Sequence, residues 1–189
     1  MLMTGLLRWP AQCSAGLYAQ DVTINMPVAA FTKYRFQSSW VQVRPSFFLP
    51  NRLPCLLGVG PNGQTFELPS KFNELVRLEN LSVSSPKEGS DIAVTYVILT
   101  APIGRVMVLS DLVGVPGLDQ HPPDPSLRAV ISAPSVKRVE PNMYIVNLFV
   151  WKEFGGTVEK WTVTVFNDAT VKSTNKLLAT HVGNMIGLR

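Results

Sequence analysis

The chain has 189 residues, 46% of them hydrophobic and 16% charged, with a formal net charge of +4. That length suits one sizeable domain rather than two, and its longest apolar runs fall far short of the ~20 residues that cross a bilayer as a helix. A charged share below the roughly one quarter usual for soluble domains makes a poor surface for a solitary monomer and favours a chain that works in an assembly.

In chain order, the first segment is "MLMTGLLRWP". It is apolar but lacks the basic start, long apolar centre and cleavage site of a secretory signal. Residues 1–20 read as an N-terminal arm that docks on a neighbour through Leu6, Leu7 and Trp9. Strands are expected within Asp21–Phe31, Ser38–Leu49 and Leu53–Gly60, the last ended by the turn signal "PNG". Leu75–Val83 reads as a strand or as a strand preceded by a helical turn near Lys71, and "SPKEGSD" reads as a loop. Asp91–Thr100, "DIAVTYVILT", is rich in β-branched residues and reads as a strand. Further strands are expected at Arg105–Leu109 and Leu127–Ala133, separated by the proline-rich loop "DQHPPDPS". A hairpin follows, turning at Gly155–Gly156. Residues 171–189 read as a basic C-terminal tail, extended or with a short helix near Asn175–Thr180, whose Leu177 and Leu178 suit a subunit interface.

About eight strands at turn-separated intervals, with almost no helical period, define an all-β fold. An eight-stranded jelly-roll β-sandwich with extended terminal arms accommodates that count in a single domain over 1–189. An immunoglobulin-like sandwich fits less well, because its cysteine–tryptophan–cysteine pattern is missing.

Signals for chemistry are sparse. There is no G-x-S-x-G elbow and no Walker A loop, and "GVGPNG" is a turn with no lysine after it. Cys13 and Cys55 have no metal spacing and read as buried thiols. The acids sit mostly in expected loops, and His121 and His181 lie far apart in sequence. These features imply no enzyme, metal or cofactor. Positive charge is concentrated near the two ends, so polyanion contact is expected there. "RWP" and "KYRF" set cations beside aromatic rings and nominate Arg8, Trp9, Lys33 and Arg35 as RNA contacts, though neither is the dense basic footprint usual for RNA binding.

The segment Met143–Asn167, "MYIVNLFVWKEFGGTVEKWTVTVFN", is apolar on both faces of an extended chain. One face can fill the chain's own core. The other needs a second layer of the same chain or a neighbouring subunit, which places Phe149 and Trp151 in an interface or under a loop. Together with the early "AFTKYRFQSSWVQVRPSFFLP", this hairpin resembles the coat proteins of small icosahedral viruses, most closely the small coat subunit of the secovirids and, among them, the fabaviruses. The resemblance is one of pattern over most of the chain, without a signature motif.

The resemblance implies a structural capsid protein released from a polyprotein. With a large coat subunit, and with copies of itself around fivefold axes, it would enclose positive-sense genomic RNA held weakly and non-specifically, without a membrane. It would occupy the virion, and the host cytoplasm during assembly. A carbohydrate- or ligand-binding β-sandwich with Trp40, Trp151 and Trp161 as stacking platforms is the alternative.

Overall fold

The late hairpin is the longest paired element. In the computed structural model, which describes residues 20–21, 31–42, 52–100 and 105–185, β7 (Met143–Lys152) pairs antiparallel with β8 (Thr157–Phe166) over ten positions. Aromatic and β-branched residues favour the pleated geometry. Gly155 and Gly156, with φ of +73° and +55°, make the turn.

β9 (Val171–Ala179) adds to β8 through a second tight turn. There the Asp168 carboxylate accepts from the backbone N–H and the hydroxyl of Thr170. On the other side of β7, β5 (Val106–Leu109) pairs with its second half and β6 (Ser135–Glu140) with its first. These five strands form one antiparallel sheet. The other sheet is a meander of β1 (Gln20–Asp21), β2 (Arg35–Gln42), β3 (Arg52–Val59) and β4 (Thr65–Leu68).

The protein is therefore mostly β, in two antiparallel sheets, as the sequence pattern implies. Among the described residues the strand order does not confirm a jelly roll. Nine strands occur among the described residues, and early and late strands do not interleave within either sheet. The first sheet is a plain meander, whereas a Greek key returns its fourth strand beside the first.

Three helices replace expected loops and strands. Asp91–Thr100 is not a strand: α2 spans Pro86–Ile98. The "loop" before it is the helix start, where Ser85 accepts from the Glu88 N–H, Glu88 reaches back to the Ser85 N–H, and Pro86 opens the first turn. Gly89, Ile92, Ala93 and Val97 are buried along one face of α2. At Gly89 the helix lies so close to the sheet that an added Cβ would stand 3.2 Å from the Tyr144 ring.

Leu75–Val83 is mostly helical, within α1 (Phe72–Glu79), which Asn80 ends in the left-handed conformation. Leu127–Ala133 begins in α3 (Pro125–Val130), capped by Asp124. Residues 171–179 are not a tail but an integral strand.

The main core joins both sheets to α1 and α2. Edge-to-face contacts run from Phe36 to Phe31, Phe72, Tyr96 and Trp161 at ring separations of 5.2, 6.2, 5.1 and 6.3 Å. Two side chains of α1 make longer-range ties. The buried Glu79 carboxylate accepts from the backbone N–H groups of Lys33 and Tyr34 at 2.7 and 2.9 Å. The Asn73 amide exchanges two hydrogen bonds with the backbone of Val171.

Candidate functional site

The two faces of the five-stranded sheet follow from the alternation of β7. Tyr144, Val146, Leu148 and Val150 enter the main core. On the opposite face Phe149 and Trp151 are also buried, in a second core with Leu109, Leu112, Val115, Leu127, Ile131, Val158 and Val182. Trp151 is fully enclosed and donates its indole N–H to the Val182 carbonyl at 2.7 Å.

This settles the doubly apolar hairpin in favour of a second layer of the same chain. Phe149 and Trp151 are accordingly corrected from subunit-interface candidates to core residues. Phe149 is 5% exposed and Trp151 fully enclosed, which leaves almost nothing of either for a neighbour to bury.

The second core roofs only one end of that face. At the open end, register brings residues from four strands side by side. One row reads Lys137, Ile145, Thr164, Lys172 across β6, β7, β8 and β9. The next reads Ser135, Asn147, Thr162, Thr174, and a third begins under the roof at Phe149 and continues through Lys160 to Lys176. Directly opposed residues in neighbouring strands share a face.

Lys137, Lys160, Lys172 and Lys176 are exposed, while Ile145, Asn147, Thr162, Thr164 and Phe166 are half-buried between them. Lys160 and Lys172 stand 5.8 and 5.7 Å from the Phe149 and Phe166 ring centroids, within cation–π range. The Thr162 hydroxyl donates to the Asn147 side-chain oxygen at 2.9 Å.

The three rows contain no carboxylate. On this face the nearest in register is Glu140, opposite Met143 at a corner, since Glu159 beside Lys160 faces the other way. Among the described residues none of the four lysines takes part in an ion pair. By strand spacing, Lys137 and Lys172 lie about 14 Å apart. Four ammonium groups on so small a surface raise the local potential and favour a polyanion.

Several charged groups elsewhere have structural partners. Lys152 and Glu159 form a largely buried pair at 3.1 Å. Glu159 also accepts from the Trp161 indole and the Asn175 amide. Bonds from Ser84 hold the Glu88 carboxyl below its usual range, and bonds from Ser126 do the same for Asp124. Burial pushes Asp168 up, but the Thr170 bonds and the Arg77 charge outweigh it and leave the carboxyl lowered. Among the described residues no group of three His, Cys, Asp or Glu side chains is placed to hold a metal. No described helix is long and apolar enough to cross a membrane.

The residues nominated from sequence do not converge here. Leu6, Leu7, Arg8, Trp9 and Cys13 lie outside the described residues, as do the side chains of Arg35, Trp40 and Cys55. Lys33 is exposed at the start of the first sheet, its ammonium 3.4 Å from the Leu78 carbonyl. Leu177 is 54% exposed on β9, and Leu178 packs partly against the second core. Trp151 and Trp161 are both buried, which removes two of the three stacking platforms required by the carbohydrate-binding alternative.

Lys172 and Lys176 were visible as tail charge. Lys137 and Lys160 join them only through cross-strand register, which the sequence does not display. No family model matches the chain, and no curated protein or solved structure is significantly similar to it.

Proposed function

We propose that this chain is a non-catalytic structural protein that holds a polynucleotide against the open, lysine-bearing end of its second sheet. A coat subunit is the specific form of this reading. Its partners are then genomic RNA, copies of itself and a larger coat subunit, and its location is the virion, with the host cytoplasm during assembly.

The observation that carries the reading is the set of four exposed lysines brought together by register without an intervening acid. Ammonium groups bind phosphates as point charges, and such binding releases counterions and weakens with salt. The half-buried Phe166 and Ile145 and the polar row between the lysines supply apolar and hydrogen-bonding surface for unpaired bases. The strand order gives the coat form no jelly-roll support, so the lysine face and the low surface charge are what recommend it.

The test is a titration of labelled single-stranded RNA at several salt concentrations. Four phosphate contacts predict a slope of about −3 in log K against log salt, and each Lys→Gln change should reduce its magnitude by about 0.7. A slope unaffected by all four substitutions would remove the reading. Sedimentation of the native material then tests the coat form. A particle with a nucleic-acid spectrum and a second, larger chain is expected, and a slow peak of one chain without nucleic acid would reject it.

A further inference from the structure

Among the described residues the last strand of the second sheet has a neighbour on one side only. β9 pairs with β8 and ends the strand order. The direction of its backbone groups can be read from the first residue. Val171 gives its N–H to the Asn73 side-chain oxygen at 2.8 Å and takes the Asn73 N–H on its carbonyl at 3.0 Å. Its polar groups therefore point away from β8. The preceding Thr170 carbonyl instead accepts from Phe166, at the end of β8.

In an antiparallel ladder this orientation alternates. Ser173 and Asn175 thus also present their N–H and C=O groups outward, as does the N–H of Leu177 ahead of the register shift. Among the described residues no backbone group meets them. Asn73 acts as a one-residue substitute for a missing strand at the first outward position only.

We infer that the outer edge of β9, from Ser173 to Leu177, is a strand-addition site for an extended segment of a partner protein, acidic at the positions beside Lys172 and Lys176 and apolar opposite Leu177. An extended segment supplies the complementary row of backbone donors and acceptors. Its side chains alternate between the two faces. On one face they adjoin Lys172 and Lys176, with Lys160 one strand inward, where carboxylates are favoured and cations repelled. On the other they adjoin Ser173, Asn175 and the 54% exposed Leu177.

A second copy of this chain is a worse occupant. Pairing β9 with itself would gather Lys160, Lys172 and Lys176 of both copies on one face, and lysines on an exposed edge ordinarily deter such self-pairing.

The experiment uses the full chain and a labelled peptide of about eight residues alternating glutamate and valine. Fluorescence anisotropy should show saturable binding, and the same peptide with lysine in place of glutamate should not bind. Leu177→Pro removes one outward N–H at a bulged edge position where proline is tolerated. It should weaken binding by about tenfold or more, whereas Leu177→Ala, which keeps the N–H, should weaken it less. Equal binding by Leu177→Pro and the parent, or by both peptides, would overturn the inference.

Hydrogen exchange on the unsubstituted chain gives a check independent of whether the proline variant folds. The amides of Ser173, Asn175 and Leu177 should exchange rapidly alone and slow when peptide is added, and no slowing would overturn the inference. The polynucleotide reading can fail separately, because Leu177→Pro leaves all four lysines in place. RNA binding should survive that change.

Discussion

The two ends of one sheet face behave as different materials. At one end Phe149, Trp151 and Val158 are roofed by Leu112, Val115, Leu127 and Val182. A few residues further along the same strands, Lys137, Lys160, Lys172 and Lys176 stand in solvent around threonines and an asparagine. The strands provide the same backbone platform at both ends, and side-chain chemistry decides which end the chain covers. Apolar rings recruit the segment from Leu109 to Ile131 as a lid. Lysines left in solvent keep the hydration that covering them would remove.

The largest effect is expected at the roofed end. Trp151→Ala should cost about 4 kcal/mol, because it empties a fully packed site and strands the Val182 carbonyl. A urea unfolding curve measures this, and a loss below about 1 kcal/mol would mean that the second core is loose. Replacing all four lysines with glutamine should leave stability within about 0.5 kcal/mol per site while abolishing the salt-sensitive part of RNA binding. If stability collapsed instead, the open end would be a structural region and not a binding surface.

A smaller effect is expected at Gly156. Its φ of +55° and the Val182 carbonyl 2.9 Å from an added Cβ oppose any side chain. Gly156→Ala should therefore cost about 1–3 kcal/mol by thermal or urea denaturation, loosening the roof from its hinge side without touching the lysines.

The smallest effect lies away from both ends. Glu88 titrates lower in the folded chain than unfolded. The folded state therefore releases the proton more readily, and acid favours unfolding. Its contribution is complete above the ordinary carboxylate range and is lost as pH falls through the lowered folded value. Glu88→Gln should flatten that acid limb of stability against pH. An unchanged limb would assign it to Asp124 and Asp168, whose carboxyls are lowered as well.

What could be read from the chain follows the same physics. The hairpin is legible because Tyr144–Trp151 is an almost unbroken run of aromatic and aliphatic residues, Trp161–Val165 alternates apolar with threonine, and Gly155–Gly156 lies between them. The segment of α2 reads as a strand because Ile92, Val94, Thr95, Val97 and Ile98 each favour one, while the signals that prevail are positional. Ser85 and Glu88 close a capping box, and Gly89, Ile92, Ala93 and Val97 recur at the helical period. α3 carried the same kind of signal in Asp124–Pro125. β9 reads as a tail because a polar edge strand lacks the apolar alternation of a half-buried one. The lysine surface was half legible: charge in 171–189 was noticed, but only pairing joins it to Lys137 and Lys160. Strand order was beyond the pattern altogether, since a run of alternating segments is equally compatible with meanders and Greek keys.

The eight residues of α1 have a mechanical consequence. Glu79 holds the backbone of Lys33 and Tyr34, and Asn73 holds that of Val171. One short helix thus braces the start of the early sheet against the start of the last strand, coupling regions at opposite ends of the described chain. Tension applied to either region is passed through α1 to the other, so deleting the last strand should also slacken the first sheet, with which it shares no rung.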